Sequence, residues 1–80
     1  MKYEYERGVL PDGRYRIDHP ERVDAEGNQI RIEYDIQAAL PGLSFRTSAK
    51  SNAFEVEIET LSDAQKTILD QAIADHKANT

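Results

Sequence analysis

Phe54-Glu55-Val56-Glu57-Ile58-Glu59, running on through Thr60-Leu61-Ser62-Asp63-Ala64-Gln65, is the stretch in which the period of the chain changes. Up to Glu59, apolar and acidic residues alternate strictly. Phe54, Val56 and Ile58 therefore share one face of an extended strand, and Glu55, Glu57 and Glu59 share the other. Beyond Ser62 the apolar residues recur at three- and four-residue spacing, and Ala64, Ile68, Leu69, Ala72 and Ile73 form one stripe. Ser62 is a good N-cap, and Gln65 completes a capping box. Asp63 in the first turn and Lys77 in the last both suit the helix dipole. The pattern predicts a strand over 53–59 and a helix over 63–77. The implied fold class is α+β, an antiparallel meander-like sheet of four to five strands with one C-terminal amphipathic helix packed on one face.

Working back toward the N-terminus, three more segments alternate. Lys2-Tyr3-Glu4-Tyr5-Glu6 predicts a strand over 2–7 with Tyr3 and Tyr5 on one face. Arg14-Tyr15-Arg16-Ile17-Asp18 predicts another over 14–18, with Tyr15 and Ile17 together. Between them, Leu10-Pro11-Asp12-Gly13 suits a type I turn, so the two read as a hairpin. Ile30-Arg31-Ile32-Glu33-Tyr34-Asp35-Ile36 predicts the longest strand, over 30–36, with four apolar side chains facing three charges. A shorter strand is expected over 44–48 around Phe45, after a type II turn at Leu40-Pro41-Gly42-Leu43. Whether Arg22 and Val23 form a strand entering the Asp24-Ala25-Glu26-Gly27-Asn28 loop is left open.

Eighty residues are expected to make a single domain, 1–80, with a small core. The chain has no Cys, which excludes disulfides, zinc–thiolate sites, Fe–S clusters and a thiol nucleophile. Stability must then come from good packing or from association with a partner. The formal net charge is −5, which argues against direct contact with nucleic acid. That charge is uneven. Residues 1–50 carry eight Lys/Arg and nine Asp/Glu, whereas 51–80 carry two and six. No apolar run approaches the roughly 20 residues of a membrane helix, and Met1 to Leu10 has no apolar core of a signal peptide. The expectation is a soluble protein, cytoplasmic or part of a particle assembled there, with no membrane partner.

Motifs that carry chemistry are scarce. Asp24-Ala25-Glu26-Gly27-Asn28 has the composition of a calcium loop but the wrong spacing, since its Gly falls fourth and the twelfth position is Asp35. A hairpin turn explains it better. His19, between Asp18 and Pro20, and His76, on the helix stripe, are far apart and lack metal-ligand spacing. There is no Gly-x-Ser-x-Gly elbow and no phosphate loop. We therefore expect no enzyme, no cofactor, no metal and no small-molecule substrate.

Two patterns remain that suit a protein partner or self-association. Tyr3, Tyr5 and Tyr15 have the amphipathic character favoured at interfaces, although a place on the sheet's inner face under the helix is the favoured reading of them. Glu55, Glu57 and Glu59 form an acidic row with a repeat of about 6.6 Å. Either they line a solvated sheet face, neutralised by arginines on neighbouring strands, or they dock a basic surface. The leading expectation is a non-enzymatic interaction module, a structural or accessory component of a larger assembly, of a type met among small phage- and virus-encoded proteins. The alternative is an acidic inhibitor that blocks a basic, nucleic-acid-binding surface on another protein.

Overall fold

The computed structural model describes residues 1–17 and 22–79, with Arg22 described by its backbone alone. His19 and its neighbour Asp18 lie outside the described residues. The elements in chain order are β1 (Lys2–Glu6), β2 (Arg22–Val23), β3 (Gln29–Ile30), α1 (Ile32–Ala39), β4 (Phe45–Lys50), β5 (Ala53–Ile58) and α2 (Asp63–Ala78).

Alternation selects β5, and its two neighbours complete an antiparallel sheet in the order β1-β5-β4. The register places Tyr3 and Thr47 on either side of Val56, and Tyr5 and Ala49 on either side of Phe54. These side chains share one face. Phe54, Val56 and Ile58 are buried there, whereas Glu57 is exposed on the opposite face. The sheet thus has three strands rather than four or five, and it is not a meander. Its centre is the last strand, and the first strand returns to it across some fifty residues of chain. β2 and β3 pair separately as a two-stranded ribbon, which answers the question of Arg22 and Val23 in favour of a strand. Their loop is held by Asp24, whose Oδ1 accepts the N–H groups of Glu26 and Asn28, each at 2.9 Å. The carboxylate that resembled a calcium ligand is thus occupied with backbone amides.

The largest correction is at 30–36. Only Ile30 belongs to a strand; Arg31 is the extended N-cap of the helix Ile32–Ala39. The alternating pattern is ambiguous because Ile32 and Ile36 are four apart, a spacing common to both periods. Burial decides between them. Ile32, Ile36 and Leu40 follow the helical four-residue step and are all buried, while Tyr34, which alternation would place beside them, is 62% exposed. Gln37-Ala38-Ala39 are strong helix formers, and Pro41 stops the helix just past its Leu40 cap.

The strand expected over 14–18 is also absent among the described residues. The predicted turn is present: Gly13 N–H donates to Leu10 O at 2.9 Å, and Gly13 has φ +91°. Past the turn, Tyr15 forms an isolated bridge with Val9. β1 is not the hairpin partner of this segment: among the described residues its one strand partner is β5, and the chain turns away at Gly8, where φ is +79°. Arg16 Cδ would lie only 3.1 Å from a side-chain carbon at Gly8, a tight approach that adds to the preference of this φ for glycine.

α2 matches its expected span within a residue. Ser62 Oγ accepts from Gln65 N–H at 3.2 Å, and Gln65 Oε1 accepts from Ser62 N–H at 3.0 Å. Its buried positions are Leu69, Ile73 and His76, with Ala72 half-buried; Ala64 and Ile68 of the expected stripe are exposed. The two helices pack together on the apolar face of the sheet. Tyr3 links β1 to the start of α2 by accepting from Leu61 N–H at 3.1 Å, and Thr47 on β4 donates to Glu33 on α1 at 2.9 Å. The buried core joins Phe54, Val56 and Ile58 of the sheet to Ile36, Leu69 and Ile73 of the helices, with Ile17 and Leu61 added from outside these elements.

Candidate functional site

Both helices lie over one face of the sheet, so the other face is uncovered among the described residues. Its side chains come in cross-strand rows. Lys2, Glu57 and Arg46 form one row, Glu4, Glu55 and Ser48 the next, and Glu6, Ala53 and Lys50 the third. Lys2 Nζ also reaches Glu55 diagonally at 3.7 Å. The acidic row is therefore interleaved with cations: Glu57 stands between Lys2 and Arg46, and Glu55 takes Lys2. Glu59 lies past the end of β5, exposed. The three glutamates do not share one continuous acidic ladder.

The two outer strands, β1 and β4, are sheet edges among the described residues. The register determines which backbone groups they present. Ile58 N–H donates to Met1 O at 2.9 Å, and Arg7 N–H donates to Asn52 O at 2.8 Å. Successive residues of a strand point their hydrogen-bonding groups to opposite sides, so Met1, Tyr3, Tyr5 and Arg7 bond to β5. Lys2, Glu4 and Glu6 then turn theirs outward. The side chain of Lys77 marks that rim by donating to Glu6 O at 3.0 Å. The same alternation carried through β5 turns the backbone groups of Phe45, Thr47 and Ala49 outward along β4.

The tyrosines sit on the helix side. Tyr5 donates to Asp70 Oδ1 at 2.7 Å, and Lys66 Nζ, 2.6 Å from the same oxygen, lies 5.2 Å from the Tyr3 ring centre and 5.5 Å from that of Tyr5. Burial, and after it the hydrogen bond to Asp70, pushes the Tyr5 phenol above its ordinary range. The hydrogen bond from Lys66 holds the Asp70 carboxyl below the ordinary carboxylate range, against the opposing effect of desolvation. Tyr15 is separate from this pair. It is the platform for Arg7, whose guanidinium carbon is 4.1 Å from its ring centre while Nη1 donates to Ser51 O at 2.8 Å. Tyr3 and Tyr5 are thus brought together at the β1 edge, and Tyr15 is not part of that group.

A second polar feature joins the helices. His76 Nδ1 lies 2.6 Å from Asp35 Oδ2, with the ring 1% exposed. Asp35, Asp75 and His76 line a shallow cleft of about 450 Å³ with Ala38, Ala39 and Ala72. The other ring nitrogen, Nε2, has no hydrogen-bond partner and is enclosed, so a molecule in the cleft cannot reach it. The pair fastens α1 to α2. Its sequence signal, a histidine on the buried stripe of α2, was legible; its partner Asp35 was not, because it depended on α1 being a helix. No group of three His, Cys, Asp or Glu side chains suited to a metal ion occurs among the described residues. Among the described residues no helix is long and apolar enough to cross a membrane.

Comparison with protein families, with curated proteins and with solved structures finds no match to this chain. Function must be read from the geometry.

Proposed function

We propose that the protein is a non-enzymatic interaction module, a structural or accessory component that docks through its sheet. One observation carries this reading: a three-stranded sheet has both helices on one face, leaving two strand edges and a charged face uncovered among the described residues. Unpaired strand rims are templates for an added strand, and main-chain hydrogen bonds supply affinity there while side chains supply specificity. The electrostatic-inhibitor role draws less support, because Lys2 and Arg46 flank Glu57 and break the acidic row on which it depends.

Site-specific photo-crosslinking tests the reading in cells that produce the protein. A crosslinking residue at Glu4 or Ser48, on the uncovered face of the two edge strands, should trap a protein partner or a second copy. The same residue at Gln71, exposed on α2, should trap little. Adducts from Gln71 with none from either strand would overturn the reading.

A further inference from the structure

We infer that β1 pairs with β1 of a second copy, antiparallel about a two-fold axis, joining two sheets into one of six strands. The inference rests on the reading of the sheet edges as binding surfaces and names the edge and its partner.

The strand sequence Lys2-Tyr3-Glu4-Tyr5-Glu6 matches itself about Glu4 in two opposite-charge pairs and two tyrosine pairs, against one like-charge pair of Glu4 with itself at the axis. In the antiparallel pairing centred there, Lys2 stands opposite the partner's Glu6, Tyr3 opposite the partner's Tyr5, and Glu4 opposite the partner's Glu4. By symmetry each unlike pair occurs twice. The charged pairs fall on the uncovered face and the tyrosine pairs on the helix side, so each copy's outer and inner faces stay continuous. The hydrogen-bond phase agrees with this register independently. The residues whose backbone groups point outward are Lys2, Glu4 and Glu6, and these are the residues the register sets opposite one another as hydrogen-bonded pairs. The tyrosines then occupy the non-hydrogen-bonded position, where side chains approach most closely and aromatic pairs contribute most. At Glu6 the carbonyl already accepts from Lys77, and its second lone pair remains for the partner's Lys2 N–H.

The opposite edge does not offer this. On β4 the outward groups belong to Phe45, Thr47 and Ala49, and the uncovered-face charges are Arg46 and Lys50 alone. Two copies of β4 would bring four cations together with no anion on either strand. Pairing β4 with the β1 of another copy would match charges but run parallel, the weaker ladder, and it would not close. A two-fold β1 pair closes after two copies.

The test is sedimentation equilibrium of the chain, with no N-terminal tag to obstruct Lys2, from ~1 µM to ~1 mM in 0.15 M salt. The expected result is a reversible monomer–dimer equilibrium that stops at two, in the weak range proper to a short strand interface. Lys2→Glu and Glu6→Lys should each weaken the dimer ~10-fold or more, since each change reverses two cross-strand pairs. The double variant Lys2→Glu/Glu6→Lys should restore it, because the swapped charges again face each other. Far-UV circular dichroism confirms that each variant is folded before its mass is compared. A monomer at ~1 mM would overturn the inference while leaving sheet-edge docking to a different protein intact. Growth beyond two copies, or a dimer that the single variants leave unchanged, would also overturn it.

Discussion

At the scale of single residues, the polar contacts are spent on fastening elements to one another. Asp35 and His76 are the clearest case. With His76 enclosed, removing Asp35 leaves a second ring nitrogen buried without its partner. We expect Asp35→Ala to lower stability by about 1–3 kcal/mol, read as a lower urea midpoint at unchanged slope. Asp35→Ala with His76→Leu should recover most of that loss, because replacing both members of a buried pair removes the orphan along with the bond. Tyr5 makes a prediction about pH. The folded chain holds the Tyr5 proton more tightly than the unfolded chain, so the contribution is complete below the ordinary phenol value of 10.0 and is lost as pH rises beyond it. Asp70 works in the other sense: its contribution is present above the ordinary carboxyl value of 3.8 and fades as pH falls through and below it. Thermal unfolding between pH 8 and 11 should show a steeper alkaline decline for the parent chain than for Tyr5→Phe. Equal slopes would mean that the Tyr5 phenol is not held this way.

At the scale of elements, the sequence was legible wherever one period stood alone. The Ser62–Gln65 box and the Leu69–Ile73–His76 spacing admit only a helix, and Phe54-Glu55-Val56-Glu57-Ile58 admits only a strand. α1 was not legible, because Ile30, Ile32, Tyr34 and Ile36 alternate while Ile32, Ile36 and Leu40 also step by four. Local pattern could not choose, and burial against α2 did. The partner of β1 was equally hidden: nearness in sequence favoured 14–18, whereas the strand that takes it is β5, fifty residues on. The candidate site suffered in turn. The tyrosines and the glutamate row were visible as patterns, but the flanking of Glu57 by Lys2 and Arg46 depends on the sheet order. A pair of substitutions separates the two readings of α1. In a strand, Tyr34 and Ile36 would share the core face. In the helix, Ile36→Ala should cost about 2–5 kcal/mol, and Tyr34→Ala, at an exposed position, less than about 0.5 kcal/mol. Comparable losses at both positions, measured by urea unfolding, would restore the strand.

At the scale of the whole molecule, a net charge of −5 coexists with a sheet face of mixed sign. Part of the acid excess of the C-terminal part lies in Glu55 and Glu57 of β5, which Lys2 and Arg46 approach, and part in two carboxylates of α2 that are engaged locally: Asp70 by Lys66 and Tyr5, Asp75 by Gln71. Along their outer rims β1 and β4 have no neighbouring strand among the described residues, and on the β1 rim the Glu6 carbonyl is met by Lys77. That is why a strand-pairing role is favoured over an electrostatic one, and why the strand Lys2–Glu6 is the focus. The most direct measurement is amide hydrogen exchange, residue by residue, at protein concentrations below and above the onset of association. In dilute protein the amides of Tyr3, Tyr5 and Arg7 should be slow and those of Glu4 and Glu6 fast. At high concentration Glu4 and Glu6 should become slow while Thr47 and Ala49 on β4 stay fast. Protection that appears on Thr47 and Ala49 instead, or a Glu4 amide that stays fast while the mass doubles, would contradict pairing through β1.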